Sequence, residues 1–473
     1  MAADIGVMST WPGNSGPDSR SPDAIALRPG RLVQRAAYGV GDAGFLLFWQ
    51  GAALFLLYFY TEIAGIPALA AGAIILAGLV WDAVTDPIAA AYAERRAARG
   101  RPYAGLIARA APLAGLSYLA LFITPGGALW LVCLWALVTH LVFRTAYTLA
   151  SMPYNALPAR LTLDGRDRSS FTAARVVGAA IGGLGVAVAT PLIVQAGGGS
   201  NTGYALAALL VGAAGTVFLL MTGLGVREAH AVPAVSTRGL HSYRTAVSGL
   251  VSHARAVKPL QRLLWIMISA TLGYAMFAGA VLFFIEARPA LTDFAALLLA
   301  APTLASLVMA PVWPLVAKRS SKRVAMMSGA IIAGAGFAGV SLAPGPMMTL
   351  TALVIAGAGL AAIPVMLWSM AADVVDYGHL QTGERVEARV FGLFTLTQKI
   401  ASGLALLCVA GGLAVIGQGV EPGIGPAWGL ALLVSVLPSG FMGLTAVLAS
   451  GYQIDHDAHA RIVETLTKKP PTR

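Results

Sequence analysis

The chain has 473 residues, 57% of them hydrophobic and only 11% charged, with a formal net charge of +11. A soluble domain carries about 25% charged residues, so this composition excludes a globule covered by water. The two cysteines, Cys133 and Cys408, both sit in apolar runs, and they exclude a disulfide framework and a Cys/His zinc site.

Residues 1–35 are rich in Pro, Gly, Ser and Asp and read as a disordered cytoplasmic tail. Apolar stretches of roughly 18–27 residues, long enough to span a bilayer, then recur twelve times, at 37–62, 67–92, 104–124, 127–153, 169–195, 203–226, 260–286, 290–317, 324–343, 346–371, 389–416 and 425–452. The first is too long, and its start too polar, for a cleavable signal peptide. A polar connection divides the spans six and six. The domains expected are an N-terminal six-helix bundle over 36–226, a cytoplasmic central loop over 227–259, a C-terminal six-helix bundle over 260–452 and a cytoplasmic tail over 453–473.

The positions of the 32 Lys and Arg residues account for the net charge. The N-terminal tail, the even-numbered connections and the C-terminal tail hold nearly all of them, whereas the odd-numbered connections hold only Arg288. That asymmetry is the positive-inside pattern. It predicts a multi-pass protein of the cell (inner) membrane with both termini cytoplasmic, and it removes nucleic acid as a partner. The halves also echo one another. Arg95-Arg96-Ala97-Ala98-Arg99-Gly100-Arg101 follows the second span, and Lys318-Arg319-Ser320-Ser321-Lys322-Arg323 follows the eighth. Such internal symmetry suits a transporter built from two repeats.

Charges inside spans are costly and point to function. The second span carries Trp81-Asp82-Ala83-Val84-Thr85-Asp86-Pro87, with Asp82 and Asp86 on one helical face. Two carboxylates there repel unless a cation or a proton lies between them. Na+ or H+ is therefore the coupling ion expected at Asp82 and Asp86, and no cofactor is expected. In the fourth span His140, Arg144, Tyr147, Ser151 and Asn155 share a polar face, with Thr148 beside them. Arg144 either pairs with Asp82 or Asp86, or joins Arg175 and Lys399 in attracting a solute with negative charge. Lys399 stands alone in the eleventh span, one turn after Thr395. Asp42, near the cytoplasmic end of the first span, suits a gate as well as ligand contact. No GxxxxGK[ST] phosphate loop occurs, and no catalytic constellation emerges, so an enzyme is not expected.

Several motifs together resemble the glycoside-pentoside-hexuronide:cation symporters, the melibiose-permease-like branch of the major facilitator superfamily. They are Tyr38-Gly39-Val40-Gly41-Asp42, Tyr58-Phe59-Tyr60-Thr61-Glu62, the second-span acidic run, Met152-Pro153-Tyr154-Asn155-Ala156-Leu157 with Asp164, Arg168 and Arg175, and Asp373-Val374-Val375-Asp376-Tyr377-Gly378 with Lys399. The resemblance implies an all-α integral membrane protein, with twelve transmembrane helices in two pseudo-symmetric six-helix bundles. It implies cation-coupled symport of a sugar or glycoside-like solute by alternating access. A cation site is implied at Asp82, Asp86 and Thr148, with Thr85 in place of an Asn. Solute contacts are implied at Tyr147, Arg175, Thr395 and Lys399, and the aligned positions Arg144, Ser151 and Asn155 join that set. Asp42, Arg168, Asp376 and Arg385 are read as gate residues.

Leu46 and Ser151 stand where melibiose permease has acids, Asn155 where it has Trp, and Arg144 where it has Gly. These exchanges argue against a galactoside and for an anionic solute such as a uronide or sulfosugar. A eukaryotic branch similar to this family carries lysophospholipids. The alternative is therefore an exporter, or a lysolipid or drug transporter, of the same fold. A non-transporting sensor is a more distant rival. The partners expected are a small-molecule substrate and the lipid bilayer, with the chain a monomer.

Overall fold

The computed structural model describes residues 29–161, 165–228, 255, 257–382, 387–417 and 426–454, together with 458, 461, 462, 464 and 465. Helix is the regular structure among the described residues. The first half contains α1 (Pro29–Gly51, continued by π-helical turns at Ala52–Leu56 and Phe59–Ile63), α2 (Ala68–Ala98), α3 (Tyr103–Leu121), α4 (Leu129–Ala156), α5 (Gly165–Ala196) and α6 (Asn201–Gly225). The second contains α7 (Lys258–Glu286), α8 (Ala295–Met309 and Val312–Arg319), α9 (Lys322–Leu342), α10 (Pro346–Leu360 and Ala362–Thr382), α11 (Glu387–Gly417) and α12 (Pro426–Ala431, a π-helical turn at Leu432–Val436, and Leu437–Ser450). Eleven of these are long and apolar enough to cross a membrane, and the bent pair forming α8 makes a twelfth.

The packing repeats as the sequence does. In the first half α1 packs on α5 and α6, α3 on α6 and α4, and α2 on α4. In the second, α7 packs on α11 and α12, α9 on α12 and α10, and α8 on α10, which is the same set advanced by six helices. The contacts between halves obey the same exchange, α2 with α11 and α5 with α8. Hydrocarbon gives helices no hydrophobic reason to associate, so close backbone approach must hold them. The clearest case is α1 against α5. A Cβ on Gly178 would lie 1.8 Å from the Gly39 carbonyl oxygen, and one on Gly182 would lie 2.2 Å from that of Ala43.

The helices differ from those expected in several places, three of which bear on the site. Helix α1 begins at Pro29, ahead of the boundary at 36. The eighth span is not one straight helix but bends by 48° between Met309 and Val312. Pro311 has no N–H to donate there and Pro314 follows one turn later, so the hydrogen-bond ladder is interrupted. Helix α10 runs on to Thr382, which places Asp373 and Asp376 within a helix rather than in a connection.

The halves meet at the end away from the start of α1 and the end of α12. Gln195 Nε2 donates to the Thr292 carbonyl at 3.2 Å, and the rings of Tyr58 and Phe283 have centroids 4.9 Å apart. Nearer the middle, Gln50 Nε2 donates to Tyr274 Oη at 3.2 Å. A cavity of about 830 Å³ lies between the halves, its wall including Trp49, Gln50, His140, Arg144, Tyr274 and Trp368.

Candidate functional site

The site is assembled from α2, α4 and α11. The four-residue spacing on α2 sets Asp82 and Asp86 one above the other, and α4 presents its polar face to them. Arg144 Nε donates to Asp82 Oδ1 at 3.1 Å, and its Nη2 contacts Asp82 Oδ2. Lys399, from the other half, lies 2.9 Å from Asp82 Oδ2 and also contacts Asp86 Oδ2. Thr148 Oγ1 donates to Asp86 Oδ1 at 2.8 Å. Asp82 is fully buried, and Arg144 and Lys399 nearly so. Two carboxylates thus face two cations, and the formal charge of the cluster is zero. Charges this deep persist only when paired, and here Asp82 and Lys399 each have two partners, while Arg144 pairs with Asp82 and Asp86 with Lys399.

Aromatic rings hold the guanidinium in place. Arg144 Cζ lies 5.0 Å from the Trp49 ring centroid and 5.7 Å from that of Tyr147. Tyr147 is fixed in turn by Phe45, with centroids 5.3 Å apart. One turn along α4, His140 is buried and neither ring nitrogen has a hydrogen-bond partner. The Cδ2–Nε2 edge of its ring abuts α2 at Gly78, where a Cβ would fall 2.1 Å from Cδ2. Only glycine allows α2 and α4 to approach over this histidine.

The other expected site residues are distributed differently. Arg175 does not join the cluster; its Nε lies 2.9 Å from Asp42 Oδ1, with Cζ 5.3 Å from the Tyr154 ring centroid. Asp42, expected at a gate, is therefore a buried partner of a residue expected to touch solute. Thr85, expected at the cation site, donates its hydroxyl to the carbonyl of Trp81 in its own helix, at 3.1 Å. Ser151 is buried, Asn155 exposed and Thr395 half-buried one turn before Lys399. Asp376 is half-buried on α10. Asp373 is buried and accepts from Lys322 Nζ at 2.7 and 2.8 Å. Arg168 lies on α5, but its side chain falls outside the described residues, as does Arg385 altogether.

Sequence reasoning passed over Gln50 and Tyr274, whose hydrogen bond joins the halves. Gln50 is an isolated amide in an apolar run, a readable signal. Tyr274 in α7 carries none, because a membrane tyrosine is more often an anchor.

Comparison with known proteins places these features. The model of a family described as MFS/sugar transport protein matches residues 37–456. An uncharacterized symporter of Bacillus subtilis is 27% identical, covering 93% of this chain and 96% of its own. A glucuronide carrier protein homolog of Escherichia coli is 26% identical, covering 90% and 93%. A sodium-dependent lysophosphatidylcholine symporter of Xenopus tropicalis is 24% identical, covering 79% and 78%. Among solved structures, the inward-open xylose transporter of E. coli superposes with a TM-score of 0.63 at 13% identity, over 92% of this chain and 98% of its own. A nucleoside transporter gives 0.63 at 14% identity, over 92% and 100%. At such identities the structures speak for the fold alone.

Proposed function

The chain belongs to the MFS/sugar transport family of membrane transporters and is not an enzyme; from that premise we propose that it is a cation-coupled symporter of an anionic sugar or glycoside, working by alternating access. The observation that carries this reading is the neutral cluster of Asp82, Asp86, Arg144 and Lys399, which crosses from one half to the other. Lys399 is the only member from the second half. Its departure would leave the two carboxylates with one cation, a net charge of −1 in a low-dielectric interior. A coupling cation arriving at the acids replaces it, and the freed ammonium then binds the anionic group of the solute. Neither step is favourable without the other, which is what coupling requires. The coupling is also reciprocal, so solute tightens cation binding by the factor by which cation tightens solute binding.

The solute class rests on charge. Arg262, Lys318, Lys322 and Arg323 line a second cavity, of about 1300 Å³, at the junction of α8 and α9, and it shares Val365 with the central cavity. A basic vestibule raises the local concentration of an anion. A relative named for glucuronide carriage agrees with a uronide-like solute. The alternative, a lysolipid carrier, draws on the lysophosphatidylcholine relatives and on the Leu, Ile and Val side chains in the central wall. The vestibule lies at the end bearing the basic connections. The positive-inside distribution makes that end cytoplasmic, with both termini there, in the inner membrane. The cluster is complete within one chain, which supports a monomer as the unit of transport.

Counterflow in proteoliposomes tests the reading. Anionic sugars should exchange faster under a cation gradient, neutral galactosides should not, and Asp82→Asn should abolish the effect of the gradient. Equal uptake by Asp82→Asn and wild type under that gradient would overturn it.

A further inference from the structure

We propose that Arg144 sets the ion selectivity of this carrier: it is a built-in cation that takes the Asp82 arm of the site and excludes Na+. The proposal deepens the symport reading above and rests on it for the word coupling, but not for the Na+ result. A hard metal cation is held by several oxygen lone pairs at once. In this cluster the charged oxygens that would lead such a set are already covered by cations. Both Asp82 oxygens face the guanidinium, one through Nε at 3.1 Å and the other through Nη2. The Thr85 hydroxyl, a third candidate oxygen, is tied by its proton to the Trp81 carbonyl of its own helix and adds only neutral lone pairs. Thr148 donates to Asp86 Oδ1, and Lys399 covers Asp86 Oδ2.

Of the two cations, Lys399 belongs to the other half and leaves with it. Arg144 is on α4, in the same half as both acids, and it is only 4% exposed. It is capped by the Trp49 and Tyr147 rings and flanked by His140 packed on Gly78. A forked guanidinium on one carboxylate is also the strongest of the side-chain pairings. When Lys399 departs, Arg144 therefore stays. A Na+ ion entering then finds a single free carboxylate, Asp86, beside a fixed positive charge. Like charges at that range disfavour each other. The cation that needs one lone pair rather than a cage is the proton, which leaves it as the coupling ion.

The test uses the purified full-length protein and needs no known solute. Thermal unfolding is followed while NaCl replaces choline chloride at constant ionic strength. Wild type should show no saturable Na+ shift. Arg144→Gly should acquire one, with an apparent Na+ affinity about tenfold or more above wild type, and Arg144→Gly/Asp82→Asn should lose it again. A saturable Na+ shift in the wild type, abolished by Asp82→Asn, would sink the proposal whether or not the Arg144 variants fold. An Arg144→Gly protein that folds and still ignores Na+ would sink it as well. Failure of solute uptake under a pH gradient would count against the symport reading, and the Na+ titration would stand apart from it.

Discussion

Gly78→Ala is the smallest change that should disturb the site. The added Cβ would fall 2.1 Å from His140 Cδ2, 2.2 Å from Nε2 and 3.3 Å from Arg144 Cγ. Carbon atoms pack best at about 3.5–4.0 Å, so the imidazole must move by roughly 1.4 Å or α2 must part from α4. Overpacking of this kind costs about 1–3 kcal/mol. The histidine has no hydrogen bond to hold it and borders the central cavity, so it is the element that yields, swinging into the space meant for solute. Two outcomes follow: a lower unfolding midpoint in detergent, and weaker solute binding with the charged cluster intact. His140→Ala removes the obstacle, so Gly78→Ala should cost close to nothing in that background. A double-mutant cycle measures this directly, with a coupling of about 1–3 kcal/mol expected. Equal cost of Gly78→Ala with and without the imidazole would refute the packing argument.

Two further changes address the cluster and the seam between the halves. Asp82→Asn leaves Arg144 buried without its carboxylate and should lower stability by about 3–5 kcal/mol; Asp82→Asn/Arg144→Gln should recover most of this in the same unfolding assay. Tyr274→Phe removes the hydrogen bond with Gln50 that joins the halves, worth about 1 kcal/mol or a roughly fivefold shift in a two-state equilibrium. Spin-label distances between Ser200 and Asp293, on opposite halves at the end where Gln195 meets Thr292, should move toward longer values.

What was legible in the sequence was local or repeated. Apolar run length located the spans, because every backbone polar group in a bilayer must bond within its own helix. Four-residue spacing put Asp82 with Asp86, and the polar stripe of α4 put Arg144 beside Thr148, because a helix fixes which residues share a face. Periodicity does not say which neighbour that face meets. Lys399 is 313 positions from Asp86, and only the packing of α11 on α2 brings them together. The same gap hid the pairing of Arg175 with Asp42, two residues expected in different roles. The bend in α8 was readable in Pro311 and Pro314, but hydropathy averages over such a break and reports one span.

The charge count changes what the extra arginine means. Read along the sequence, Arg144 either pairs with an acid of the second span or adds a positive charge to the cavity that draws an anion. In the fold that charge is spent on Asp82, and on the proposed cycle the base released to meet solute is Lys399. Without Arg144, two carboxylates would hold Lys399 against a net charge of −1, and releasing it would expose both acids. With Arg144, Lys399 is held by a cluster that is already balanced, and its release uncovers a single negative charge. One monovalent cation restores that balance, and one singly charged anion balances the ammonium that left. On the proposed cycle, then, the arginine does not bind the solute. It sets the number of cations that must accompany each anion at one, which makes the movement of a monoanion electrically silent.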